Sequence, residues 1–253
     1  MSGHNGTGPP TPDDAHAQAL RPTPTERVVA LLEVLICSDY LTQFAIASSF
    51  AAYGYTPFAA GRLRASYVAA FELVDTAVLI ALILLFLAAH GERTRDVFLG
   101  RRPVAREAIA GIPLVFAALA IGVGVLAGIQ LLAPRLHTVE RNPLKDLMGA
   151  PLETAGFAVV VVIAGGVREE LQRAFLLRRF ELWLGGATTG IVVTSVAFGG
   201  GHLLQGVDAA IATGALGAFW GWIYLRRRSS VAPMVSHAGF NLLQIVQFLV
   251  LGR

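Results

Sequence analysis

The chain has 253 residues, of which 55% are hydrophobic and only 15% carry a charge. This composition excludes a soluble domain, because several apolar runs reach the roughly 20 residues that a helix needs to cross hydrocarbon. The formal net charge of +3 calls for no nucleic-acid partner, since the basic residues fall largely in loops between apolar runs, where they set membrane topology.

The first 26 residues predict a disordered cytoplasmic tail. They are rich in Pro, Thr, Gly, His and Asp and lack the apolar content needed to bury a core. They also lack the basic start and short apolar segment of a cleaved signal peptide. We therefore expect the first apolar span to serve as the insertion signal.

The apolar segments that follow predict an all-α fold, a polytopic membrane helix bundle of about seven transmembrane helices. They are Val28–Ala52, Tyr67–Ala89, Ala108–Ala133, Thr154–Leu177, Thr188–Leu204, Ala209–Leu225 and Val231–Leu251. Glu33, Asp39 and Gln43 interrupt the first segment, which can instead form two shorter interfacial helices. Beyond the tail, we divide the chain into three amino-terminal transmembrane helices with their loops at 27–151 and a four-helix core at 152–253.

Arginine-rich loops follow the second, fourth and sixth predicted spans, so they fall on one side of the membrane. They contain Arg93, Arg95, Arg101, Arg102 and Arg106, then Arg178 and Arg179, then Arg226, Arg227 and Arg228. Short loops rich in Lys and Arg tend to stay cytoplasmic. This pattern predicts a multi-pass plasma-membrane protein with its amino terminus in the cytoplasm and Arg253 outside.

Adjacent carboxylates at Glu169 and Glu170 interrupt a stretch that otherwise reads as membrane core. Insertion scales assign each charge at the bilayer centre a cost of about 2.5–3.5 kcal/mol, so the pair is expected to face a bundle interior or a wet cavity and to mark a functional site. Asp39, Glu72 and Asp75 are further acids within spans. Glu72 and Asp75 share a helix face, which suits an ion or proton path, but we favour structural polar contacts or a cavity lining.

Of the six histidines, only His202 and His237 lie inside predicted spans. A single histidine in a membrane helix is more often a packing residue, but two of them together with a Glu pair favour a site. Asn241 lies four residues after His237 and shares its helix face. Cys37, the single cysteine, can form neither an internal disulfide nor a multi-thiolate zinc site, so any metal must be held by His, carboxylate or amide groups.

These residues form three ordered motifs: Glu169-Glu170, Phe198-Gly-Gly-Gly-His202 and His237-Ala-Gly-Phe-Asn241. From about Leu152 to Val250 the chain resembles the CAAX protease and bacteriocin-processing family (CPBP, or Abi family) of type II CAAX prenyl endopeptidase-like intramembrane proteases. The second and third motifs match that family in full.

The first motif departs from the family pattern at its arginine. The family has Arg four residues after the second Glu, where this chain has Ala174, and Arg173 comes one residue earlier, turned by about 100° on a helix. Arg173 can pair with either carboxylate. Pairing with Glu170 would keep the usual support, whereas pairing with Glu169 would weaken that residue as a base.

The resemblance implies a membrane-embedded hydrolase that cuts peptides or membrane-anchored proteins. It makes Glu169 the general base toward a water held by His202 and His237, with Glu170 and Asn241 also catalytic. Arg173 and Phe198 would be supporting residues. A metalloendopeptidase is equally compatible, with a divalent metal such as zinc held by Glu169, His202 and His237.

Two other functions remain open from the sequence. The buried polar groups would also suit a membrane transporter or channel, although the repeated hydrophobic halves typical of many transporters are not visible. A non-catalytic immunity or scaffold protein is the other alternative, and the displaced Arg173 is its main support. The sequence has no His-Glu-x-x-His, Gly-x-Ser-x-Gly or Gly-x-Gly-Asp motif of other protease classes.

Overall fold

The computed structural model describes residues 22–139 and 142–251, and almost all of this part of the chain is helical. The all-α, polytopic bundle predicted from the sequence is therefore confirmed. Most of the predicted disordered tail, residues 1–21, lies outside the described residues.

The first described helix, α1 (Pro24–Ile36), begins inside the stretch predicted as tail. Thr23 accepts a hydrogen bond from the Glu26 backbone N–H, and the Glu26 side chain accepts one from the Thr23 backbone N–H. This capping box satisfies two backbone donors at the helix start, and Pro24 suits the first helical position.

The predicted first span is broken near its middle. After α1, Cys37–Asp39 separates it from α2 (Tyr40–Ala52), and the two helices are bent by 42°. Asp39 adopts a left-handed backbone conformation with φ 74°, which an asparagine or aspartate tolerates better than most residues. The polar interruptions seen in the sequence therefore mark a real break in the helix.

The remaining elements alternate long helices with short connections. After α2, a small hairpin is formed by β1 (Phe58–Ala59) and β2 (Arg62–Leu63). The amino-terminal half continues with α3 (Ala65–Ala89), α4 (Thr94–Phe98), α5 (Val104–Leu132) and two 3₁₀ turns at Pro134–Leu136 and Pro143–Met148. The second half comprises α6 (Pro151–Val160), a π-helix (Val161–Arg168), α7 (Glu169–Trp183), α8 (Gly186–Gly200), a 3₁₀ turn at Leu203–Gln205, α9 (Val207–Arg227) and α10 (Val231–Leu251).

By length and apolar composition, four helical stretches in the described part of the chain can cross a membrane. They are Ala65–Ala89, Val104–Leu132, Pro151–Trp183 and Val231–Leu251, and the bent pair α1–α2 adds a fifth if it forms one span. Helix α8 is apolar but shorter, with 15 residues. The chain is thus an integral membrane protein, and the number of seven spans stays a prediction.

Ion pairs join the arginine-rich loops at one end of the bundle. Glu92, just after α3, accepts a hydrogen bond from Arg178 of α7 at 3.0 Å. Glu107, at the start of α5, accepts one from Arg227 at the end of α9 at 2.6 Å. These loops therefore lie on the same side, as the arginine pattern indicated, and the assignment of that side to the cytoplasm stays a prediction.

A buried group of charges lies at the same end. Arg179 is fully buried and pairs with Glu33 of α1 at 2.5 Å and also with Glu92. His90 contacts Glu33 at 2.7 Å. Burial raises the pKa of Glu92, but hydrogen bonds and charge from Arg179 and Arg178 outweigh it and hold that pKa below its ordinary value. The cluster ties α1, the end of α3 and α7 together.

Candidate active site

The Glu pair begins α7, directly after an eight-residue π-helix at Val161–Arg168. A π-helix has a wider turn than an α-helix and is often found at functional sites. Gly165 and Gly166 lie within it, and helix α10 packs against it. The π-helix therefore sets how α10 meets the first turn of α7.

The two glycines permit this close approach. A Cβ at Gly166 would lie 2.6 Å from the Ala238 Cβ, and a Cβ at Gly165 would lie 2.7 Å from the Asn241 Nδ2. Both distances are far below ordinary van der Waals contact. Helix α10 can thus bring His237 and Asn241 against the π-helix only because these positions lack side chains.

We expect Gly166→Ala to destabilise the protein by about 1–3 kcal/mol, because the new methyl group would overlap both the side chain and the backbone of Ala238. The midpoint of thermal unfolding in detergent measures this change. Gly156→Ala is the matched control, since a Cβ there meets nothing within 4 Å. Equal midpoints for the two variants would show that the approach of α10 does not depend on Gly166.

Glu170 is buried and joins two candidate site residues. Its Oε1 accepts a hydrogen bond from His237 Nδ1 at 2.9 Å and pairs with the Arg173 guanidinium. Of the two pairings that the sequence left open, the structure has Arg173 with Glu170. The guanidinium also lies over the Phe198 ring, 4.8 Å from its centroid. The displaced arginine thus supports the carboxylate that holds His237.

Glu169 faces the other side of the same imidazole. Its Oε2 lies 3.7 Å from His237 Nε2. Because Nδ1 donates its proton to Glu170, a neutral His237 presents a lone pair at Nε2 toward Glu169. A gap of 3.7 Å between two acceptors suits one water that donates a hydrogen bond of about 2.8 Å to each.

Trp220 of α9, which the sequence did not single out, fixes the plane of the His237 ring. The two rings stack with centroids 3.8 Å apart and an interplanar angle of 19°. The buried indole donates a hydrogen bond to Ser236 Oγ at 3.1 Å. An apolar span containing a tryptophan gives no indication of which ring it will face, so sequence pattern alone could not find this contact.

His202 lies just beyond the end of α8, with Phe198 beside it. Its Nδ1 donates to the Phe198 backbone carbonyl at 2.8 Å, which assigns the proton to that nitrogen. The Phe198 ring lies 4.9 Å from the His202 ring and 6.1 Å from the His237 ring, measured between centroids. The structure therefore joins Glu169, Glu170 and His237 directly and places His202 next to Phe198 at their margin.

The metal alternative can be compared with this arrangement. Among the residues that the structure describes, no three His, Cys, Asp or Glu side chains are grouped so that they could hold a metal ion. Glu169, His202 and His237 are thus not among such groups in the described part of the chain, and the zinc alternative stays a prediction.

Arg168 is a further residue that the sequence reasoning missed. It is buried, and its guanidinium lies 3.9 Å from Glu169 and also reaches Asp39, Glu72 and Asp75. These three acids are the ones predicted to make polar contacts or line a cavity. The available signal was an arginine inside an apolar stretch, which in a membrane protein needs a partner.

The fold defines a polytopic membrane protein, and the site joins Glu169, Glu170, Arg173 and His237. Residues 151–243 match the model of the family described as type II CAAX prenyl endopeptidase Rce1-like. This segment contains every candidate site residue from Glu169 to Asn241, and the match confirms the predicted resemblance. No curated protein and no solved structure matches the chain. The family match supports a CAAX-type intramembrane protease.

Proposed function

We propose that this chain is an intramembrane endopeptidase in which Glu169 acts as general base. The observation that carries the proposal is the placement of Glu169 Oε2 opposite His237 Nε2, at 3.7 Å. Glu170 and Trp220 hold the imidazole in that orientation. A carboxylate and an imidazole nitrogen that face one small space can orient and deprotonate a water between them.

In the first step, Glu169 takes a proton from this water while the water oxygen bonds to the carbonyl carbon of the scissile peptide. The carbonyl oxygen becomes an oxyanion, and we assign the Asn241 amide to stabilise it by donating a hydrogen bond. His202, beside Phe198, is the second residue that we assign to the oxyanion.

In the second step, the proton on Glu169 passes to the nitrogen of the leaving amine as the C–N bond breaks. The products are an amine and a carboxylic acid, which ionise to an ammonium and a carboxylate when the acid proton passes to the amine, and Glu169 returns to its ionised form. Arg173 keeps Glu170 paired throughout. This pairing supports the proposal over a non-catalytic scaffold, because Arg173 pairs with Glu170 and not with the proposed base.

The substrate is proposed to be a peptide or a membrane-anchored protein that enters from the cytoplasmic side of the plasma membrane. The matched family acts on prenylated CAAX sequences by its printed description, so a prenylated peptide is the first substrate to try. The Glu169 side chain is 15% exposed, which leaves it accessible to a bound peptide.

The test is cleavage by the purified full-length chain in detergent, using quenched peptides. One peptide carries a prenylated cysteine followed by three residues, and a second has the same sequence without the prenyl group; an unprenylated peptide library completes the set. We expect one defined peptide bond to be cut in at least one of these substrates. Failure to cut any of them would overturn the proposal.

We expect cleavage to persist in the presence of a chelator, because the proposal uses no metal and the three candidate ligands do not form a ligand set. The rate of peptide cleavage with and without EDTA measures this. A known zinc peptidase assayed in the same detergent is the control and should lose activity. Loss of cleavage that added zinc restores would contradict the direct-base mechanism and favour a metalloendopeptidase.

A further inference from the structure

Arg168 is the last residue of the π-helix and the immediate neighbour of Glu169. Its guanidinium is 2% exposed. Nη1 pairs with Asp39 and lies 3.6 Å from Asp75, while Nη2 lies 3.3 Å from Glu72 and 3.9 Å from Glu169. One buried cation thus reaches four carboxylates from three parts of the chain.

The two carboxylate oxygens of Glu169 face different partners. Its Oε1 is the atom nearest Arg168 Nη2, and its Oε2 is the atom nearest His237 Nε2. Holding one oxygen toward the guanidinium leaves the other directed at the space where a water would lie. Productive geometry in a catalytic site has to be kept within about 0.5 Å, so a restraint on Oε1 controls what Oε2 can do.

The partners that fix Arg168 come from outside the matched segment 151–243. Asp39 lies in the break between α1 and α2, while Glu72 and Asp75 lie on α3. Two further hydrogen bonds hold that break against the site. Gln172 of α7 donates to the Cys37 carbonyl at 2.8 Å, and the Tyr40 hydroxyl donates to the Ala197 carbonyl of α8 at 2.6 Å.

Such a buried cluster is not explained by stability alone. Replacing buried ion pairs with well-packed apolar residues is often neutral or stabilising. A planar guanidinium offers donors in a fixed fork, so it can hold several carboxylates in set directions. The cluster is thus better suited to fixing an orientation than to strengthening the bundle.

We propose that Arg168, held by Asp39, Glu72 and Asp75, is a positioning residue that directs Glu169 Oε2 toward the reacting water. This inference rests on the proposed function, in which Glu169 is the base. Through Asp39, Glu72 and Asp75, the amino-terminal helices would then contribute to the geometry of the active site.

The first test is Asp39→Asn in the full-length chain, assayed with the peptide that the wild type cuts. Arg168 keeps Glu72 and Asp75 as partners but loses one anchor. We expect kcat to fall about tenfold with KM changed by less than about twofold, since the interaction acts in the transition state rather than in substrate binding.

Arg168→Lys and Arg168→Gln give the second test. Lysine keeps the charge but lacks the planar fork, so we expect kcat to fall about a hundredfold, with a larger loss for glutamine. In the Arg168→Lys background, Asp39→Asn should cause less than about a threefold further loss, because coupled residues have non-additive effects.

Glu107→Gln is the matched control, since it also removes a buried carboxylate that faces an arginine, here Arg227, but away from Glu169. It should lower the unfolding temperature without changing kcat. The positioning role is overturned if Asp39→Asn leaves kcat unchanged, as Glu107→Gln does. It is also overturned if the losses of kcat caused by Arg168→Lys and Asp39→Asn are additive in the double variant.

Assaying Glu169→Gln in parallel distinguishes failure of the positioning role from failure of the proposed function. An inactive Glu169→Gln with a fully active Asp39→Asn would overturn the positioning role alone. A Glu169→Gln variant as active as the wild type, or a wild type that cuts nothing, would overturn the proposed base and the positioning role with it.

Discussion

Glu169→Gln should lower kcat/KM for peptide cleavage by about 10²–10⁴-fold, the range expected for loss of a general base. Glutamine has nearly the same shape as glutamate but cannot accept the proton of the attacking water. It also carries no charge to face the Arg168 guanidinium. Initial rates with the quenched peptide measure the effect, and an unchanged unfolding midpoint and elution volume would show that the fold is preserved.

Glu181→Gln provides a closely matched control on the same helix. Its side chain is 16% exposed, against 15% for Glu169, and it is paired with an arginine, Arg228. It lies near the opposite end of α7, away from His237. We expect cleavage within about twofold of the wild type, since surface ion pairs contribute little. Equal activity in Glu169→Gln and Glu181→Gln would show that Glu169 is not the base.

Arg179→Gln should lower the free energy of unfolding by about 3–5 kcal/mol, because it would leave buried Glu33 and its neighbour Glu92 without their shared cation. The guanidinium also lies 4.4 Å from the Phe175 ring centroid and 5.1 Å from that of Trp183, contacts that a neutral amide cannot replace. Thermal unfolding in detergent measures the change in stability.

Arg226→Gln is the control for this second change. Arg226 lies at the same end of the bundle, but it is exposed and its ring contact is with the half-exposed Trp222. Its replacement should change stability by less than about 0.5 kcal/mol. A midpoint for Arg179→Gln that matches this control would mean that the buried charges of Glu33 and Glu92 are accommodated without Arg179.

The late helices and their polar residues could be predicted because the relevant spacing is local. Four residues along a helix place His237 and Asn241 on one face, and Phe198 and His202 on one side of another. The structure retains both relations. The resemblance placed Glu169 and His237 in one site, and the structure has Glu169 Oε2 3.7 Å from His237 Nε2.

Other features depend on contacts between distant parts of the chain, which helical periodicity does not encode. In the sequence, the break at Asp39 showed only as polar residues in an apolar run. The pairing of Asp39 with Arg168 joins residues 129 positions apart, which no local pattern indicates. Similarly, the stack of Trp220 on His237 joins residues of two helices whose relative rotation the pattern leaves free. The π-helix adds a local rotation at Glu169 that a regular helical projection does not contain.

The Cys37–Asp39 break has a consequence for how this protein varies among its relatives. Asp39 and Arg168 are 129 positions apart, yet the buried Arg168 guanidinium pairs with the half-buried Asp39 carboxylate. Loss of Asp39 would remove one anchor of Arg168, and loss of Arg168 would leave Asp39, Glu72 and Asp75 without their shared cation. We therefore expect homologues to substitute residues 39 and 168 together, although residue 39 lies outside the segment 151–243 that the family model matches.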